Sequence, residues 1–209
     1  MNTPKLDHIV YAVPDLDEGI RNIHEKLGVM PVYGGRHLLE GTHNALLRLA
    51  DDCYFEIIAP DPNNKNVQSA RWMGVDLVQS PCISRWAVKS TNIHKDLAYL
   101  AKIDQSLGHS KEGQRLTDAQ NLLKWELSIP LPEPLVETIP FLIDWKDSVH
   151  PSKGLEDHCE ITSLEICSKR PHELGKLLDS LEIEQEVQYS LKNKIQITVS
   201  CPKGEVVLE

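Results

Sequence analysis

The stretch Leu6-Asp7-His8-Ile9-Val10-Tyr11-Ala12-Val13-Pro14-Asp15-Leu16 decides the fold. Residues 6–13 alternate, are rich in β-formers and read as a strand, which Pro14 stops. Asp15 is a helix N-cap, and Glu18 stands three positions on, at capping-box spacing. Leu16, Ile20, Ile23 and Leu27 then recur at helical spacing, and Gly28 supplies the stop. Three short strands follow, near Val29–Tyr33, His43–Leu49 and Cys53–Ile58, with Gly34-Gly35 and Asp51-Asp52 in the turns. The unit is βαβββ and closes at Ala59-Pro60-Asp61-Pro62.

Outward from this unit the plan repeats. A strand at 83–89 is followed by a helix with Ile93, Leu97 and Leu100 on one face, then Gly108. Strands near 111–116, 121–129 and 140–145 complete the second copy. A displacement of 77 positions lays Arg85 on His8, Ile93 on Leu16, Leu97 on Ile20 and Leu100 on Ile23. A third, tighter copy opens with the strand Ile161–Ser168. Its helix carries Leu174, Leu177, Leu178 and Leu181, and strands are expected near 184–189, 194–201 and 204–209. Segments 62–80 and 147–158 read as connectors. The expected organisation is one domain, 1–151, of two modules (5–60 and 82–146), then a third βαβββ-like module at 159–209. A four-stranded sheet with one helix leaves one face bare. Two such units side by side predict an α+β fold whose sheets curl into a half-open β-barrel around a cleft.

The 209 residues are 41% hydrophobic, enough to bury a core. The formal charge of −9 argues against a nucleic-acid module or docking on anionic lipid. No apolar run approaches the roughly 20 residues needed to span a bilayer. The polar start at Met1–Lys5 does not read as a signal peptide. The five cysteines include no C-x-x-C pair, so reduced thiols and a cytoplasmic setting are expected.

Side chains alternate along a strand. With Ile9, Tyr11 and Val13 under the helix, His8, Val10 and Ala12 face the cleft. With Phe55 and Ile57 under the helix, Glu56 joins Tyr54 and Ile58 on the cleft face. If the first and fourth strands are neighbours, His8 and Glu56 meet on the cavity wall. Such a pair reads either as half of a divalent metal site (Fe, Mn, Ni or Zn) or as a structural hydrogen-bonded pair.

The opening segment resembles the first strand and helix start of the vicinal oxygen chelate superfamily, which includes glyoxalase I, extradiol dioxygenases and the bleomycin and fosfomycin resistance proteins. Gly34-Gly35-Arg36-His37, Gly41-Thr42-His43-Asn44-Ala45-Leu46 and Tyr54-Phe55-Glu56-Ile57-Ile58-Ala59-Pro60 are similar to its glyoxalase-like domain branch. Pro140-Phe141-Leu142-Ile143-Asp144-Trp145 with His150-Pro151 resembles the end of that branch's second module. The resemblance implies that the first and last strands of each module supply metal ligands, which are His8 and Glu56 in module one. Module two departs from this: Arg85 stands where His8 does, and the last strand offers only Asp144. A third ligand would come from His43, His37 or His150, or else this branch has lost the metal.

Arg85 on the cavity wall presents a fork for a carboxylate or phosphate, or else pairs at the surface. Of His43 and Asn44 one must face the cleft, and Asn44 is a candidate to bond substrate. Trp125 and Trp145 are candidate aromatic walls or core. The remaining histidines (His24, His94, His109, His158 and His172) read as solvated surface.

Three functions compete. In an enzyme, a metal on His8 and Glu56 acts as Lewis acid, Glu56 or a free histidine such as His43 moves a proton, and Arg85 anchors an anionic substrate. The reaction class is then a lyase, isomerase or dioxygenase. In a non-catalytic binding protein the same cleft sequesters a small molecule. In an assembly module it does neither. The third module has no partner within the chain, which predicts a homodimer through its sheet, unless it covers the cleft.

Overall fold

The computed structural model describes residues 6–64, 67, 70–116 and 122–209. The expected start of module one at residue 5, the first residue of the 121–129 strand and part of the connector 62–80 lie outside them.

Module one comprises β1 (Leu6–Ala12), α1 (Leu16–Leu27), β2 (Val32–His37), β3 (Thr42–Ala50) and β4 (Cys53–Pro60). The Asp15 carboxylate caps α1 by accepting from the Glu18 N–H at 2.9 Å. Gly28 ends it in the left-handed region at φ 76°. Module two comprises β5 (Cys82–Lys89), α2 (Ile93–Ile103), β6 (Ser110–Leu116), β7 (Leu122–Ser128) and β8 (Phe141–Asp144). The third unit comprises β9 (Glu160–Ser168), α3 (Pro171–Ser180), β10 (Val187–Tyr189), β11 (Lys194–Cys201) and β12 (Gly204–Leu208). No helix among the described residues is long and apolar enough to cross a membrane.

The first two modules form one eight-stranded sheet, ordered β2-β3-β4-β1-β5-β8-β7-β6. It is a curled half-barrel of α+β class. Strands β1 and β5 join the modules in antiparallel pairing, with Val10 opposite Arg85 and His8 opposite Ala87. Adding 77 to His8 and Val10 gives Arg85 and Ala87, so the two pairs exchange under the repeat, as a local two-fold axis between the strands requires. The outer edges, β2 and β6, face each other across the opening, where Glu40 and Lys111 form an ion pair.

Two departures shape the cleft. Gly34 and Gly35 lie inside β2, not in a turn. A side chain at Gly34 would collide with the Asn44 carboxamide, so the strand needs glycine there. The 62–80 connector is more than a link. Its Trp72, Met73, Val75 and Val78 are buried in the apolar layer on the cleft face, with Val10, Ala12, Ile58, Trp125 and Phe141.

The third unit keeps the βαβββ element order but not the pairing. Its sheet runs β10-β9-β11-β12, whereas β1 lies between β4 and the neighbouring module. It does not cover the cleft. Leu164, Ile166, Ile195, Ile197 and Val199 join the core behind the barrel sheet, with Ile9, Phe55, Trp86 and residues of α1 and α2. The apolar face that called for a second chain is therefore buried within this one, which removes the premise for a dimer through that face.

Candidate functional site

Side-chain alternation places His8 and Glu56 together at the bottom of the cleft. Both are almost wholly buried, and His8 Nε2 lies 3.7 Å from Glu56 Oε2. The His8 ring stacks on Tyr54 at 4.5 Å between centroids and meets the edge of Phe141 at 5.2 Å. Asn44 also faces the cleft, and its Nδ2 donates to Glu56 Oε1, which sets the carboxylate's orientation.

Asp7 is the residue that sequence reading missed. Strict alternation puts it under the helix with Ile9. A register shift between Leu6 and His8 makes Asp7 the extra residue of a bulge against β5. Its carboxylate consequently swings round to accept from His8 Nδ1 at 2.6 Å, Trp145 Nε1 at 2.9 Å and His150 Nε2 at 3.2 Å. Burial alone would raise the Asp7 pKa, but the hydrogen bonds from His150 and His8 outweigh it and hold the carboxyl well below the usual carboxylate range. An ionised Asp7 requires the N–H of His8 to sit on Nδ1. Nε2 faces the chamber beside Glu56, and in the neutral ring it is the nitrogen without a proton. His150 is oriented in turn by Ser152, whose hydroxyl lies 2.8 Å from Nδ1.

Other candidates fall elsewhere. His43 lies on the opposite face of β3 from Asn44, in the row of Ala45 and Leu47, where burial lowers its pKa. It cannot reach the chamber, which corrects its assignment as a cleft base. Arg85 does face the concave side, but its guanidinium donates to the carbonyls of Ser84, Leu131, Pro134 and Leu135 at 2.7–3.0 Å. Desolvation pushes its pKa down to about 10. Arg85 therefore pins the proline-rich 130–135 segment and is not an open anchor for a substrate anion. Asp144 falls on the face of Leu142, away from the cleft, and pairs with Lys146. His24 is half-buried, with an unpartnered Nδ1, not solvated surface. Trp145 serves as a donor to Asp7, while Trp125 forms a cleft wall.

The cleft has two compartments. An inner chamber of about 30 Å³ is lined by His8, Asn44, Tyr54, Glu56 and Phe141 among others. An outer cavity of about 480 Å³ opens between the β2–β3 turn and β6. His37, Trp72, Trp125 and Leu127 line both, so the two compartments adjoin at the indoles.

The pairing also tests the metal site. Val10 pairs with Glu56 on β4, and its repeat counterpart Ala87 pairs with Phe141 on β8. The four positions related by the repeat are therefore His8, Glu56, Arg85 and Phe141. Arginine tied to carbonyls and phenylalanine coordinate nothing, and no group of three His, Cys, Asp or Glu converges among the described residues. Two donors do not make a transition-metal set.

The glyoxalase-like domain family model matches residues 6–182. The chain belongs to the glyoxalase-like domain family. This glyoxalase-like chain has the scaffold of the vicinal oxygen chelate superfamily. None of the curated proteins compared with it matches. Among solved structures it is similar to a hypothetical protein from Staphylococcus aureus, at 17% identity and a TM-score of 0.63, covering 90% of this chain and 87% of that one. It is also similar to methylmalonyl-CoA epimerase from Mycobacterium tuberculosis, at 20% identity and a TM-score of 0.38, covering 68% and 86%. A Streptomyces coelicolor methylmalonyl-CoA epimerase variant in complex with 2-nitronate-propionyl-CoA matches at 14% identity and a TM-score of 0.40, covering 66% and 95%. At these identities the likeness is one of fold.

Proposed function

We propose that this glyoxalase-like protein is a small-molecule enzyme that moves a proton by general acid–base catalysis, with His8 as base and without a metal. The observation that carries the reading is the buried Asp7–His8–Glu56 array at the end of an apolar cleft. Asp7 fixes the tautomer that leaves Nε2 bare, the role a carboxylate plays behind a catalytic imidazole. When Nε2 takes a proton, the ring acquires a charge between two carboxylates, Asp7 on one side and Glu56 on the other. Glu56, held by Asn44, stabilises that imidazolium until the proton returns to the substrate. Abstraction at a carbon next to a carbonyl, followed by return to the same or an adjacent atom, is the step this array suits. That makes the enzyme an isomerase or lyase. Ring cleavage by dioxygen calls for a redox metal, and no three-donor ligand set converges for one among the described residues.

The test is hydrogen exchange in D₂O, followed by ¹H NMR, over a panel of neutral aryl and alkyl ketones and α-ketols. Exchange at the carbon next to the carbonyl is expected with wild type. It should fall by about 10²-fold or more in His8→Ala and be indifferent to chelator. Exchange lost to chelator and restored by Fe, Mn, Ni or Zn, or exchange as fast in His8→Ala, overturns the proposal. Saturable binding with no exchange over the whole panel replaces it with the binding-protein reading, which the apolar outer cavity supports.

A further inference from the structure

The two compartments differ in size, polarity and charge, and together they describe a ligand. We infer that the cleft takes an uncharged, planar apolar molecule ending in one small neutral polar head, the body lying between Trp72 and Trp125 and the head reaching His8. The inference rests on the reading of the chamber as the reacting end. A volume of about 30 Å³ holds roughly a water's worth of atoms. The outer cavity of about 480 Å³ is the size of an ordinary ligand pocket. A substrate must therefore be asymmetric, with a small head and a large body. Indoles at the passage favour a flat body, because ring faces stack.

Charge decides the rest. At the rim Arg36 is taken by Asp61 and Lys111 by Glu40. No Lys or Arg lines the inner chamber among the described residues, while Glu56 does. An anionic head would meet a carboxylate with no compensating cation in a poorly solvated space. With Arg85 tied to carbonyls, the anion-anchoring residue expected from the sequence is not available. Gly113 explains how the body finds room. It lies opposite Trp125 in the β6–β7 pairing, and a side chain there would collide with the indole ring. Without one, the indole lies flat against β6 and leaves the cavity open.

The test compares two near-isosteric probes on the full chain, 2-acetonaphthone (neutral) and 2-naphthoate (anionic), by equilibrium dialysis and tryptophan quenching. The ketone is expected to bind at one site, at least about tenfold tighter than the carboxylate. Its affinity should fall about tenfold in Trp125→Ala, which removes the wall, and in Gly113→Val, which drives the indole into the cavity. Glu56→Gln should narrow the gap between the probes. Carboxylate binding equal to or tighter than ketone binding, absence of saturable ketone binding, or an unchanged affinity in Trp125→Ala overturns the inference. Ketone selectivity alongside undiminished exchange in His8→Ala leaves the ligand class standing and removes His8 as base. His8-dependent exchange confined to anionic substrates does the reverse.

Discussion

At the residue scale, two buried ionic side chains do work that their sequence neighbours conceal. Arg85 reads as a ligand fork, yet three of its four carbonyl partners lie some 50 positions away along the chain. Truncation to alanine removes the donor from four carbonyls, one of them on the buried Ser84, a loss of about 1–3 kcal/mol. Urea unfolding of Arg85→Ala should show this, while 2-acetonaphthone affinity, measured in conditions where the variant is folded, stays near wild type. A specific loss of binding without loss of stability would return Arg85 to the substrate site. Asp7 carries a pH dependence of definite sign. Its folded-state pKa is depressed, so the unfolded chain takes up the proton more readily. The stabilisation is whole above the unfolded value near 3.8 and drains away as pH falls below it. Asp7→Asn should cost about 2 kcal/mol at neutral pH, from weakened bonds to His8, His150 and Trp145, and flatten the acid limb of the stability profile. An acid limb as steep as wild type would contradict this assignment.

At the scale of elements, strand pattern located the site but not its details. Period-two alternation was enough to set His8 and Glu56 on one face, because apolar residues under α1 leave their neighbours only the other side. The bulge that turns Asp7 toward His8 carries no local signature, since Leu6-Asp7-His8 would serve as a regular strand equally well. Gly34-Gly35 read as a turn because glycine usually marks one. In the fold its missing side chain makes space for Asn44. Gly34→Ala should therefore loosen the Asn44–Glu56 contact and cost about 1–3 kcal/mol by thermal unfolding. Gly154→Ala, where nothing lies within 4 Å, should shift stability by no more than about 0.5 kcal/mol. Equal effects at the two positions would mean that backbone freedom, not Asn44, explains Gly34. In the 70–80 segment Trp72, Met73, Val75, Leu77 and Val78 are the available signal of burial.

At the scale of the whole molecule, the third unit is a structural backing for the barrel. Ile197 is fully buried in the core that also holds Ile9 and Phe55. All four tryptophans (Trp72, Trp86, Trp125 and Trp145) belong to the part of the chain before that unit. Ile197→Ala should destabilise the protein by about 2–5 kcal/mol. The loss should appear equally in tryptophan emission and far-ultraviolet circular dichroism, as one transition. Unfolding of the third unit without a change in tryptophan emission would show that the two parts are energetically separate.

Chain order alone was sufficient for the βαβββ repeat, the caps of α1, the half-barrel and the shared face of His8 and Glu56. Each of these follows from local periodicity and the short-range chemistry of Asp, Pro and Gly. Only the folded arrangement could show that Phe141 takes Glu56's place in module two, that four carbonyls occupy Arg85, that Asp7 turns toward His8, and that β9 and β11 back the sheet. Those outcomes depend on register and on contacts between segments distant in sequence. Neither is encoded in any single window of residues, because a one-position shift in pairing exchanges which side chains meet.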